Sequence, residues 1–293
     1  MARRLALCLA FAAGLSFVQS GLWVASSETS SKTRPRSHSH GSRGFSPGHL
    51  RCLSCGLSAT QSDLDRATFG QTEQSSDLKP VVTHFGINTL GVEMGGQRLL
   101  VDPLLVGSLV FWGQTWAFKG QRRFQGPLPT PEEVFGSYDA IVLSQGLEDH
   151  SHLPTLERID RRMPIIANAA AAQTAEGLGF RPKVLRPGES LMLGQLRISA
   201  LPGSVVGPPW QDPENGYVFE DTRPKGWSVG LEPHGNFRGP ALGTSLRKLP
   251  KSPPHRLDAL ILPLTAQDIS GYKLVNGADE AADTLEALDP VPR

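Results

Sequence analysis

The stretch Ile141-Val-Leu-Ser-Gln-Gly-Leu-Glu-Asp-His150 decides how the rest of the chain is read. Ala140 to Leu143 is a short, wholly apolar run, the pattern of a strand buried on both faces. It feeds a polar loop whose end carries Asp149 and His150 side by side, with His152 following closely. Carboxylate and imidazole groups are both metal ligands and proton carriers, and a strand that delivers them to a sheet edge builds the start of a site. Two ligands are not enough, because a hydrolytic zinc needs three protein ligands and an open position for water. His152 reaches the same ion only if the loop curls back; otherwise it is a candidate for contacting substrate.

Upstream, Val81-Val-Thr-His-Phe-Gly-Ile87 and Thr89-Leu-Gly-Val-Glu-Met94 cluster apolar residues as strands do, and Gly95-Gly96 is a hairpin signal leading into Arg98-Leu-Leu-Val-Asp102. Three strands therefore open the domain as a meander. Thr130-Pro-Glu-Glu133 starts a helix, with a capping hydroxyl, proline in the first turn and two carboxylates facing the helix dipole. Downstream, Leu156, Ile159 and Met163 recur at near-helical spacing, and Pro164-Ile-Ile-Ala167 is a short buried strand. Asn168 caps an alanine-rich helix that ends at Gly179. Short strands follow around Lys183-Val-Leu185, Ser190-Leu-Met-Leu193 and Leu196-Arg-Ile-Ser-Ala200, then a buried strand at Leu257 to Pro263. A last helix spans Asp279 to Leu288, with Ala282, Leu285 and Leu288 on its apolar side. This order predicts an α/β (α+β) fold in which sheets pack together with helices outside, an αββα sandwich over residues 80–293.

The preceding residues have a different composition. Arg3-Arg4 precedes an apolar run from Leu5 to Val18, and Val18-Gln19-Ser20 offers a cleavage point, so residues 1–20 read as a signal peptide, with a retained membrane anchor as the alternative. Residues 29–62 contain no Asp or Glu among many serines and scattered basic residues, so residues 21–65 read as an unfolded, transit-like segment, and 66–79 as a linker. That succession implies a plastid reached by the secretory route; the alternative is secretion. After removal of the signal no stable membrane insertion is expected. All three cysteines, Cys8, Cys52 and Cys55, lie in this leader, so neither disulfides nor thiolates hold the domain together. Cys52-Leu-Ser-Cys55 has zinc or redox spacing, but no second pair completes it. The 293-residue chain carries a formal charge of +1. Residues 1–65 hold seven basic and three acidic side chains, so the domain itself is slightly acidic and has no basic stripe to track nucleic acid. The partner it suits is a small-molecule ligand.

In order, the segments Thr83-His-Phe-Gly-Ile-Asn-Thr-Leu90, Leu99-Leu-Val-Asp-Pro103, Ser144-Gln-Gly-Leu-Glu-Asp-His150, Pro202-Gly-Ser-Val-Val-Gly-Pro-Pro-Trp210, Asn215-Gly-Tyr-Val218, Glu232-Pro-His-Gly235 and Leu260-Ile-Leu-Pro263, with Gly271-Tyr272 beyond, carry a family likeness. Over roughly residues 80–290 the chain resembles the metallo-β-lactamase superfamily, in its lactonase-like branch typified by L-ascorbate-6-phosphate lactonase and plant chloroplast members. The resemblance implies the αββα sandwich and zinc or another divalent metal held by a His-x-His-x-Asp-His loop. Aligned on the shared Asp-His pair, the two earlier histidines fall on Gln145 and Leu147. Asp149 and His150 match ligands of the second metal. The family's third histidine falls near Ser204, and its bridging aspartate on Glu232-Pro233-His234, where Glu232 or His234 is left to ligate from next door. Its last histidine lies beyond Arg293. The expectation at that end is an incomplete chain, or a lost edge strand that leaves its neighbour unpaired.

Other candidates read more plainly. His84 in a strand is expected to be a core or hydrogen-bonded histidine, and Asp102 a carboxylate capping nearby backbone amides. Gly207-Pro-Pro-Trp210 is a semi-rigid run that presents Trp210 to a pocket or covers a loop. Two functions follow. One is a residual single-metal hydrolase of an ester, lactone or phosphoester, with Asp149, His150 and either His234 or Glu232 as ligands, Asp149 also catalytic, and Trp210 and His152 at the substrate. The alternative is a non-catalytic, metal-free descendant of the fold that binds a metabolite or a partner protein.

Overall fold

A computed structural model describes residues 22–26, 79–116, 119–122, 129–203, 213–235, 257–269 and 272–288. The first sheet contains β2 (Val81–Gly86), β3 (Thr89–Met94), β4 (Gln97–Val101), β5 (Ala140–Leu143), β6 (Ile165–Ala167) and β7 (Lys183–Val184), side by side in chain order. Its first half is the expected antiparallel meander. The β3–β4 hairpin turns at Gly95 (φ 61°) and Gly96 (φ 73°), where both residues need a left-handed backbone and only glycine takes it without strain. From β4 onward the strands run parallel, which requires crossover connections rather than hairpins. A helix lies in each of the three: α1 (Pro131–Gly136) between β4 and β5, and α2 (Leu153–Leu156) between β5 and β6. A third helix, α3 (Ala169–Gly177), joins β6 to β7. The start of α1 is a full capping box, Thr130 accepting from the Glu133 amide while Glu133 accepts from that of Thr130. Asn168 caps α3 by accepting from the Ala171 amide at 2.8 Å.

The second sheet has the order β1-β12-β11-β10-β9-β8, from β1 (Leu22–Ser26), β8 (Ser190–Leu193), β9 (Leu196–Pro202), β10 (Asn215–Asp221), β11 (Ser228–Leu231) and β12 (Ala259–Pro263). A short hairpin of β13 (Gln267–Ile269) and β14 (Tyr272–Val275) precedes the last helix, α4 (Ala278–Leu288).

Strand alternation explains the layers. In β4, Leu99 and Val101 point between the sheets while Leu100 points outward; in β5, Ala140 and Val142 point between them while Ile141 and Leu143 point outward. The inward set meets Ile198, Tyr217, Phe219 and Ile261 of the second sheet. The outward set packs under Val134 and Phe135 of α1 and Ala171 and Ala175 of α3. Each of the Val, Leu, Ile and Phe side chains among them, fully buried, stabilises the fold by roughly 1.5–3 kcal/mol. On the far side, Ala281 of α4 covers Leu260 and Leu262. The order is helix, sheet, sheet, helix, as the strand and helix pattern predicts.

Three details differ from the sequence reading. Residues 22–26, within the stretch expected to be unfolded, form a strand paired antiparallel with β12, from Leu22↔Pro263 to Ser26↔Ala259. Leu22-Trp-Val-Ala is apolar and strand-forming despite its basic, serine-rich surroundings. The same pairing covers that edge of β12, whereas a lost edge strand, one of the two alternatives for this end of the fold, would leave a neighbour unpaired. In α4, Ala281 is buried against Leu260 and Leu262, and Ala282, expected on the apolar side, is exposed. The cysteines, Ser204 and Trp210 lie outside the described residues.

Close approach at one glycine makes a test of this packing. A Cβ on Gly91, in the middle of β3, would run into the Tyr138 hydroxyl, whereas one on Gly136, at the end of α1, would meet nothing within 4 Å. Gly91→Ala is expected to cost about 1–3 kcal/mol of stability by overpacking, and Gly136→Ala to be neutral or mildly stabilising, read as opposite displacements of the urea midpoint.

Candidate metal centre

The site lies where the carboxyl ends of β4 and β5 meet the ends of β10 and β11, so both sheets contribute. They are stitched together at this point: the Asn215 amide donates to Ser144 O at 2.9 Å, and the buried Tyr217 hydroxyl donates to Leu143 O at 3.0 Å.

Asp102 follows β4 in a left-handed conformation (φ 44°), which aspartate tolerates better than most residues. Its Oδ1 accepts from the Ser144 amide at 2.8 Å, and its Oδ2 accepts from Ser144 Oγ at 2.5 Å. The expected capping role is therefore present. What the sequence did not signal is that Oδ2 also accepts from His150 Nδ1 at 2.7 Å. That bond fixes the ring of His150, which is completely buried, and points Nε2 away from Asp102, toward Asn88 and Asp149.

The second sheet repeats the device. His234, carried by the turn after β11, donates Nδ1 to Glu214 at 2.5 Å in the same way. Its backbone amide donates to Glu232 Oε2 at 3.1 Å, and Glu232 in turn shares a hydrogen bond with Glu214. The two imidazole rings lie 4.9 Å apart between centroids. Asp149 stands beside them, with Oδ2 3.4 Å from His150 Nε2 and with Oδ1 buried and lacking any partner among the described residues. One ligand atom from each of Asp149, His150 and His234 lies within 4.8 Å of the others.

Proton affinities reflect the crowding of charge. Burial works to raise the Asp149 carboxyl, but the adjoining His150 outweighs it and holds the group below its ordinary value. Burial opposes charging His150, yet the Asp149 and Asp102 carboxylates push it well above its usual value. His234 is lowered to about 4, by burial first and by the charge of His150 second. Glu214 is raised to about 7 by burial, and Glu232 well above its ordinary value by burial and by Glu214 beside it. Four carboxyl groups and two imidazoles thus share one largely dry cluster, where an ion-free arrangement leaves the Asp149 oxygen unsatisfied. Two imidazole nitrogens, each set by a carboxylate behind it, with one carboxylate in front, are a donor set that fits a divalent ion.

The structure therefore brings together Asp149, His150 and His234. Glu232 stands behind His234, joined to Glu214, and is outside the group of facing ligand atoms. His152 is turned away: its Nδ1 pairs with Thr155 Oγ1 at 2.9 Å and its Nε2 with Ser108 O at 3.3 Å, because the loop enters α2 instead of curling back. His84 is exposed and hydrogen-bonded to Ile87 O at 3.0 Å. Gln145 is buried at the start of the loop, whose turn is closed by Ser151 Oγ donating to Gln145 O at 2.6 Å.

Residues 81–291 match the family model described as a β-lactamase superfamily domain, and the chain belongs to that family. Its fold is the metallo-β-lactamase fold. Solved structures agree. A protein from Veillonella parvula DSM 2008 described as a possible metal-dependent hydrolase is 18% identical, with a TM-score of 0.56 over 71% of this chain and 81% of that one. The isothiocyanate hydrolase from Delia radicum gut bacteria is also 18% identical, with a TM-score of 0.53 over 71% and 79%. No curated protein matches the sequence. Among the described residues no helix is long and apolar enough to cross a membrane.

Proposed function

We propose that this chain is a single-metal hydrolase in which Asp149, His150 and His234 hold one divalent ion, and that its substrates are small esters, lactones or phosphoesters. The observation that carries this reading is the paired support of the histidines: Asp102 holds the His150 ring and Glu214 the His234 ring by Nδ1, and one ligand atom of each ring lies within 4.8 Å of the other and of an Asp149 oxygen. An ion bound there supplies a Lewis acid and acidifies a water molecule. Ser144 and Asp102 keep the His150 ring from rotating, so the donor direction is set before anything binds. Glu214 does the same for His234 from the opposite sheet. Asp149 has a second task in this reading: the oxygen not used as a ligand would accept a proton from water.

Hydrolysis of 4-nitrophenyl acetate, a δ-lactone and bis(4-nitrophenyl) phosphate by zinc-, manganese- and iron-loaded protein tests the proposal. At least one of these should turn over, and chelation should abolish it. Asp149→Asn, which keeps an oxygen donor but is a far weaker base, is expected to lower kcat by roughly 10²-fold or more. Turnover that survives both chelation and Asp149→Asn would rule the mechanism out.

A further inference from the structure

The Gly86-Ile-Asn88 turn between β2 and β3 belongs to a sequence segment that the site above leaves unused. Gly86 (φ 97°) and Ile87 (φ 53°) are both left-handed, and the β2–β3 register breaks between His84 and Gly86. A branched residue in that region is an outlier, costing about 1–2 kcal/mol. Ile87 is held there by packing on Leu104 and Leu109 and by the bond from His84 to its carbonyl. The result is that Asn88 is turned into the metal centre.

Its amide nitrogen lies 3.1 Å from His150 Nε2 and 3.3 Å from Asp149 Oδ2, and those two atoms are 3.4 Å from each other. Three side-chain atoms from two distant segments thus make a nearly equilateral triangle. Ligands of a tetrahedral zinc, with bonds near 2.0–2.1 Å, are separated from one another by about 3.3 Å. The triangle therefore has the size of one face of a coordination tetrahedron, with His234 left for the remaining corner.

We infer that Asn88 is a further metal ligand, through its side-chain oxygen, supplied by the β2–β3 turn to a centre whose loop has Gln145 and Leu147 at the positions of the family's first two histidines. This rests on the metal reading above. Without an ion the amide presents its nitrogen, donating to the Asp149 carbonyl at 3.3 Å and to its carboxylate. A half-turn about the last side-chain bond exchanges nitrogen and oxygen at the same positions, and with a cation at the centre the oxygen faces inward. The donor set becomes two imidazole nitrogens, one carboxylate oxygen and one amide oxygen.

Cobalt(II) titration of the full chain, followed by visible absorption, tests this. Asn88→Ala should weaken Co(II) binding by about tenfold or more and change the shape of the visible band. Asn88→Asp, which retains an oxygen at the same reach, should restore both affinity and a four-ligand spectrum. The melting temperature of each metal-free variant separates loss of a ligand from loss of fold, and where Asn88→Ala is unstable the aspartate variant decides. An alanine variant with wild-type affinity and spectrum, or an aspartate variant as weak as the alanine one, overturns the assignment of Asn88 while leaving the three-ligand centre standing. A wild-type chain that takes up no Co(II) overturns both.

Discussion

Replacing His234 by alanine is expected to weaken zinc binding by at least about a hundredfold, since loss of a supporting residue alone costs 10–100-fold and here a ligand itself is removed. The effect should exceed that of any change on the β5 loop outside Asp149 and His150, because His234 is the proposed ligand that the second sheet supplies. Competition titration against a chromophoric chelator measures it. Glu214→Gln should give a smaller loss, about tenfold, since the Nδ1 contact at 2.5 Å survives as a weaker, neutral one. His152→Ala should leave affinity unchanged, as that ring is engaged with Thr155 and Ser108. Equal losses for His152→Ala and His234→Ala would mean that the ion is held elsewhere on the loop.

The largest loss of stability is expected from Asp102→Ala. This carboxylate is 1% exposed and accepts from the Ser144 amide, Ser144 Oγ and His150 Nδ1, with His150 itself 0% exposed. Removing one partner of such a pair strands the other without water, at a cost of about 3–5 kcal/mol. Alanine at φ 44° adds about 1–2 kcal/mol of backbone strain. Asp102→Asn should be milder, because its oxygen still accepts from the Ser144 amide and asparagine tolerates the left-handed backbone. It should nevertheless cost metal affinity, because the amide nitrogen cannot accept the His150 proton and the ring loses its fixed orientation. Urea unfolding of the metal-free chain resolves the stability difference. A loss under about 1 kcal/mol for Asp102→Ala would place the pair in water and contradict the geometry.

Sequence and structure agree where the physics is local. Gly95-Gly96, the Thr130–Glu133 box and the Asn168 cap each act within a few residues, so their chemistry is visible in a short window. The layer order was legible too, since apolar runs and alternation state which faces are buried. The Asp149-His150 pair announced the site because the two residues are adjacent. Its other members come from afar. Asn88 meets Asp149 across 61 positions, Asp102 meets His150 across 48, and Glu214 meets His234 across 20. Asp102 was read as a backbone cap, which it is, but one oxygen of a carboxylate says nothing about what the other holds. Glu214 looks like a surface residue by type, and only its burial between the sheets shows otherwise. His152 misled for the opposite reason: it is next to the ligands in sequence, but the backbone has already entered α2.

Metal analysis of the purified full chain tests the central claim most directly. Protein expressed with zinc, manganese and iron available, then desalted, should retain about one equivalent of a single divalent ion per chain and lose it in the Asp149→Ala/His234→Ala double variant. Less than about a tenth of an equivalent in the wild type, or an equivalent retained by the double variant, would contradict it.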